Sequence, residues 1–426
     1  MPDALRVFGR SRVILGTFRT NAFPHRQPYR NLSSTRFLSF PRIPSQLKPN
    51  AIEKSTETFA DSVRPTIRNQ VLFVLLGSTS FFLYSAWATN IETASVLEKL
   101  KSQSSVWQVQ SITNLDLRRF QQMELVKELR STYKYLNTQA SEVPQLVRSY
   151  INAAYVAMLQ PYADATEGRR LCWKICMLNA GVWFLWQFQR MKPMMNRAFV
   201  HHPLSGLSYT LLSSVFSHSH FLHLAFNCLA LEGFGSAAAT YLRQAQDKTP
   251  GQLESTTSYH FLTFFVSAGV FASLVSHVAT VRFQYPKLIA QLASPTSKPQ
   301  VTDTWASAVA AAASTTTAKS PASAAAAATT TAAASIKGSL GASGAVYSCV
   351  TLVALAYPEA QVSLIFPPVT PISIQTAVLG MVTLDMFGIY RRWKLLDHWA
   401  HLGGAVFGAF YYYYGPSLWS HTRAAL

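Results

Sequence analysis

Seven stretches of this chain are apolar over about 18 to 22 residues each: 70–89, 172–189, 217–238, 259–280, 340–357, 371–390 and 398–415. Crossing the hydrocarbon core of a bilayer takes about 20 apolar residues in a helix rising about 1.5 Å per residue. Inside lipid only helices and closed barrels satisfy their own backbone polar groups. The run lengths therefore predict an all-α polytopic membrane protein. Composition agrees, since 49% of the 426 residues are hydrophobic, only 13% are charged, and mean hydropathy lies above zero. The third, fifth and seventh stretches stand apart because they carry His, Asn, Ser and many Gly. Lipid tails do not tolerate such residues, but the interior of a helix bundle does.

A formal charge of +18 raises nucleic acid as a partner. The Lys and Arg gather instead in the N-terminal segment and in short loops beside apolar runs, without the aromatic interleaving of a nucleic-acid surface. The charge reads as targeting and topology, with the lipid bilayer as partner and no nucleic acid. Residues 1–52 hold eight Arg and one Lys against a single acid, Asp3, the composition of a mitochondrial transit peptide. Residues 1–55 are accordingly expected to be a transit peptide or a disordered segment, and 70–89 an extra N-terminal span. Residues 90–170, with the amphipathic spacing of "LRRFQQMELVKELRSTYKYL", predict an extramembrane helical linker. Residues 283–337 hold an Ala/Thr/Ser-rich low-complexity insertion, and 416–426 read as a C-terminal tail. Cys172, Cys176, Cys228 and Cys349 lie in or beside apolar runs and read as small buried hydrophobes.

Loops after spans two, four and six carry more Lys and Arg than those after spans three and five. The positive-inside tendency then places the N-terminus and these loops on one face, the matrix side for a mitochondrial protein. Spans three, five and seven enter from that face. Their polar residues, His223 with Asn227, then Ser343, then His401, fall near the entry ends and reach a common depth.

A neutral hydroxyl is a weak nucleophile that needs a base for its proton and donors for the oxyanion it creates. Ser343 in "KGSLGASGAVYSCV" opens an apolar run between Gly341 and Gly344, which let backbone approach closely and leave N–H groups free where a helix starts. Position 345 is Ala, so this is not the nucleophile elbow of soluble hydrolases. The base candidate is His401 in "DHWAHLGGAVFG", whose helix carries Gly404 and Gly408 at the spacing that allows close helix contact. His398, one turn earlier, ranks behind it. Asp397 lies four residues before His401 and either orients that ring or, as the preferred account, starts the helix. In "HSHFLHLAFN", His223 and Asn227 are four apart and share a helix face, so both can donate toward one point. Metal binding by His218, His220 and His223 is the rival, but two of these are two apart and no acid or cysteine completes the set.

"HLAFN", "GASGAVY" and "AHLGG", in that order on alternating spans, resemble the rhomboid family of intramembrane serine proteases over residues 172–415. The resemblance implies a six-helix rhomboid core preceded by one extra transmembrane helix (1+6). It implies Ser343 as nucleophile and His401 as base in a dyad without an acid, with His223, Asn227 and the Ser343 N–H as oxyanion hole. Tyr347 would pack on the His401 ring, and Gly341, Gly344 and Gly404 would support the site. Neither cofactor nor metal is implied.

The extra span and transit-like N-terminus resemble the mitochondrial branch of the family. That branch acts in the inner membrane on single-pass proteins, including a dynamin-like fusion GTPase in fungi. The chain departs from the bacterial pattern in lacking a Trp-Arg pair before His223 and in the insertion ahead of Ser343. The alternatives are a catalytically inactive rhomboid-like protein that binds membrane helices, a secretory-pathway rhomboid, and a transporter using the intramembrane acids Glu232 and Asp385. For those two acids, hydrogen bonding between helices is the preferred account.

Overall fold

The computed structural model describes residues 65–103, 112–293, 336–363, 370–393 and 396–426. The expected transit segment and residues 294–335 of the insertion lie outside the described residues. Helix α1 (Arg68–Gln103) carries Leu72, Leu75, Leu76, Leu83, Trp87 and Ile91 on its exposed side, while Gln70, Ser85, Ala86, Thr89 and Thr93 are buried. This inversion of the soluble pattern is what lipid dictates, because apolar side chains face the tails and small or polar ones allow close helix contact. At 36 residues α1 runs on through 90–103, where the linker was expected to begin.

A helical hairpin follows. Thr113 caps α2 (Asn114–Gln139) in a reciprocal box with Asp116, and the Thr113 side chain holds the Asp116 carboxyl below its ordinary value. Pro144 introduces α3 (Gln145–Asp164). Thr166 caps α4 (Glu167–Trp186), which ends three residues before the apolar run does. Two short helices, α5 (Lys192–Ala198) and α6 (Thr210–Ser213), lead to α7 (Phe221–Ala230). This helix starts later than its apolar run because the backbone is extended at both Ser217 and His220. A π-helical turn, Leu231–Gly235, joins α7 to α8 (Ser236–Asp247).

Helix α9 (Ser258–Ala279) is buried on nearly every side, the signature of a central helix. It passes through a second π-helical turn, Thr280–Gln284, into α10 (Tyr285–Ala293). Helix α11 (Ser343–Ala356) is equally central, with every residue from Gly344 to Ala354 buried. A two-residue antiparallel ladder, β1 (Gln361–Val362) with β2 (Ile372–Ser373), leads to α12 (Ile374–Arg391). Helix α13 (His398–Ala425) closes the chain. Phe261, Phe264 and Phe265 of α9, Leu352 of α11 and Tyr411 of α13 belong to one core cluster.

The rods Arg68–Gln103 and Ser258–Ala290 are long and apolar enough to cross a membrane, and Ser343–Ala356 is apolar but shorter. The other expected spans are helical over most of their length.

Helix α13 continues through Pro416 to Ala425, over the residues read as a C-terminal tail. Proline has no N–H to offer the carbonyl four residues back. That carbonyl, on Tyr412, accepts from the Tyr241 hydroxyl instead, at 3.2 Å. The final turns are anchored by buried Trp419 and Arg423, both of which donate to Glu254 in the loop before α9.

Candidate active site

Three glycines bring the elements together. A Cβ on Gly404 of α13 would run into the Gly344 carbonyl of α11, and one on Gly408 would meet the backbone of Ser348. Across this contact the Ser348 hydroxyl donates to the Gly404 carbonyl at 2.7 Å. Where lipid provides no water to expel, such contact between small residues is what holds helices in register. It places Ser343 in the first turn of α11 opposite His401 in the first turn of α13.

Ser343 Oγ and His401 Nε2 lie 3.1 Å apart, within the range for proton transfer. Tyr347 stacks on the imidazole, with ring centroids 5.3 Å apart and planes inclined by 24°. Ser343 begins its helix, so its own N–H is among the donors that the helix leaves unpaired. Gly341 has φ of 125°, a conformation that side chains rarely adopt, and a Cβ there would press on the His223 ring. His223 therefore sits against the backbone two residues ahead of Ser343. Asn227 is buried one turn below, its amide donating to the His223 carbonyl at 2.8 Å. An amide has a second N–H, but the described contacts bring His223, rather than Asn227, up to the serine's loop.

The structure adds an acid where a dyad without one was expected. Asp385 of α12 is buried, and its Oδ1 lies 3.2 Å from His401 Nδ1 and 2.6 Å from His398 Nδ1. His398, ranked second as base, shares this acid instead of facing the serine. Asp397 does not orient the ring; its carboxylate accepts from the Ala400 N–H and starts α13, and it also bonds Ser276 and Ser339. His218, considered for metal binding, accepts from the Ala342 N–H at 3.3 Å through Nε2 and packs edge-on against His223. Sequence reasoning had Asp385 only as an acid bonding between helices. The available signal was its depth: it lies 11 residues into α12, and a carboxylate so far inside an apolar helix requires a partner. Glu232 meets the same expectation by pairing with Arg169 of α4.

A family model described as the Rhomboid domain matches residues 304–417, a span that holds Ser343, Asp385 and His401. The mouse mitochondrial presenilin-associated rhomboid-like protein is 28% identical over 262 residues, covering 61% of this chain and 52% of that protein. Its human counterpart is 27% identical over 264 residues, covering 62% and 53%. Over residues 304–417 this chain matches the rhomboid domain. Yeast mitochondrial rhomboid protein 1 is 26% identical over 255 residues, covering 58% of this chain and 54% of that one. These relatives are mitochondrial rhomboid proteins, and the chain spans about half the length of the curated relatives it matches. No solved structure matches it. His223 and Asn227 precede the matched rhomboid domain, so their assignment rests on the motif and on the packing of His223 over Gly341.

Proposed function

We propose that this chain is a rhomboid and an active intramembrane serine endopeptidase. The observation that carries the reading is the ordered chain of contacts Ser343, His401, Asp385. An ionised carboxylate only accepts, so Asp385 holds the proton of each facing ring on Nδ1. His401 Nε2 then presents its lone pair to the Ser343 hydroxyl. The imidazole takes the serine proton as Oγ attacks the scissile carbonyl, and Asp385 stabilises the resulting imidazolium. His223, Asn227 and the Ser343 N–H serve the developing oxyanion. Collapse of the tetrahedral adduct returns the proton to the leaving amine, and water activated by the same imidazole releases the acyl group.

In this reading α4, the α7–α8 rod, α9, α11, α12 and α13 are the six-helix core and α1 is the extra span. The bilayer is that of the mitochondrial inner membrane. The substrates are single-pass membrane proteins, a dynamin-like fusion GTPase among the expected classes, whose helix unwinds locally to expose a carbonyl. The active site opens toward the matrix, and residues 1–55 direct import. The rival reading, an inactive membrane-helix binding protein, needs neither a serine nor a base, and this chain has both in contact.

The deciding measurement uses purified protein in liposomes with a single-span substrate. Ser343→Ala is expected to abolish cutting, a loss of at least about a thousandfold, with the melting temperature unchanged. Undiminished cleavage by that variant rejects the assignment. Import into isolated mitochondria, followed by protease access to a tag in the 283–337 insertion, tests location and topology separately.

A further inference from the structure

The four residues ahead of Ser343, from Ser339 to Ala342, form an irregular strap, and it is gripped from two sides. On one side the grip is backbone. His201 and Ser339 exchange both N–H···O bonds at 2.9 Å, and the Gly341 N–H donates to the Ser214 carbonyl at 2.9 Å. On the other side it is one carboxylate. The Ser339 hydroxyl donates to Asp397 Oδ2 at 2.5 Å. The Ser276 hydroxyl of α9 lies 2.9 Å and 2.7 Å from the two carboxylate oxygens, and the Ala400 N–H donates at 3.1 Å. Asp397 therefore touches the strap four residues before Ser343, the central helix α9, and the first turn of α13 one residue before His401.

We propose that Asp397 is a positioning residue that clamps the serine's strap to the histidine's helix and so sets the separation across which the proton moves. The proposal rests on the protease reading above. A cap alone would need only the Ala400 contact, whereas two hydroxyls from separate elements converge on this carboxylate. Hydrogen bonds to an ionised acceptor are roughly twice as strong as neutral ones. The Ser343–His401 distance of 3.1 Å lies toward the long end of the range of about 2.6–3.2 Å that proton transfer requires. A strap that drifts outward by a fraction of an ångström leaves that range. Asp385 acts on the imidazole ring, and Asp397 acts on the backbone carrying both reacting groups.

The test measures how fast Ser343 of the full chain in liposomes is labelled by a fluorophosphonate, alongside kcat and KM for a single-span substrate. Ser339→Ala leaves the cap intact. Asp397→Ser keeps a capping hydroxyl but is too short to reach Ser339 and Ser276. Each is expected to slow labelling and lower kcat by roughly 10- to 100-fold at unchanged KM. Ser339→Thr, which keeps the hydroxyl, is expected to restore both. The double variant should be no slower than the slower single, because both changes open one contact. Labelling of folded Ser339→Ala at the unsubstituted rate, or additive losses, overturns the clamp. If Asp397→Ser fails to fold, Ser339→Ala and Ser276→Ala decide the matter, since both leave the cap in place. A chain that takes no label and cuts nothing before any substitution sinks the protease reading and the clamp together. One that labels and cuts, with Ser339→Ala its equal, sinks the clamp alone.

Discussion

The two ends of α13 are both polar and buried, and they are built to opposite purposes. Near its C-terminus Arg423 donates to Glu254 at 2.9 Å, to the Leu253 carbonyl at 2.6 Å and to Asn90 of α1 at 2.9 Å. Trp419 adds a bond to the same Glu254 at 3.0 Å. Charge is matched there by charge and by fixed donors, and the result is a staple joining α1, the α9 loop and α13. At the N-terminal end, Asp385 and Asp397 face imidazoles and hydroxyls. A buried cluster of matched fixed charges holds a fold together. One that includes a hydroxyl against an imidazole lone pair can also react.

That contrast can be broken at four places, taken from the largest effect to the smallest. Asp385→Asn substitutes an amide that donates where the carboxylate accepted. It is expected to reverse the His401 tautomer and lower kcat by up to about 10,000-fold, while the melting temperature moves little. Activity near that of the unsubstituted chain would return the site to a two-residue dyad. Arg423→Met at the opposite end takes from buried Glu254 its nearest cation, leaving Trp419 and, at 4.0 Å, Arg118, and should cost about 3–5 kcal/mol. Denaturation in mild detergent reads this loss, and cleavage per folded molecule should hold. A stable Arg423→Met protein with impaired chemistry would mean that the staple also serves the site.

Between these ends, Gly404→Ala forces a methyl against the Gly344 carbonyl. It is expected to cost about 1–3 kcal/mol and to slow fluorophosphonate labelling as well, because the helices that part there carry the serine and the histidine. Tyr241→Phe removes the donor that serves the carbonyl freed by Pro416 and should lower stability by about 0.5–1.5 kcal/mol, with kcat unchanged. A drop in kcat from that variant would show that the bend in α13 is transmitted to its first turn.

Much of the candidate site was legible because its parts lie in short local patterns. Ser343, His401, Tyr347 and the close-contact glycines each stand in a motif a few residues long, and helical periodicity alone places Tyr347 one turn after the serine. The helices were legible from apolar run length, although their ends were less so. Gly341 with its positive φ, not the apolar boundary at residue 340, sets where α11 begins. The continuation of α13 through Pro416 was not legible locally, because the compensating hydroxyl belongs to Tyr241, 171 residues away.

By itself the sequence determined that this chain is helical, apolar and equipped with a serine and a histidine on helices that can approach closely. Run length, glycine spacing and residue chemistry are local properties, and they survive without knowledge of neighbours. Only the tertiary structure decided that Asp385 stands behind His401, that His398 shares it, and that Asp397 grips the strap rather than the ring. The physical reason is that hydrogen bonds depend on tenths of an ångström and on the rotation of each helix about its axis. Those quantities are set by how α9, α11, α12 and α13 pack together, not by any one of them alone.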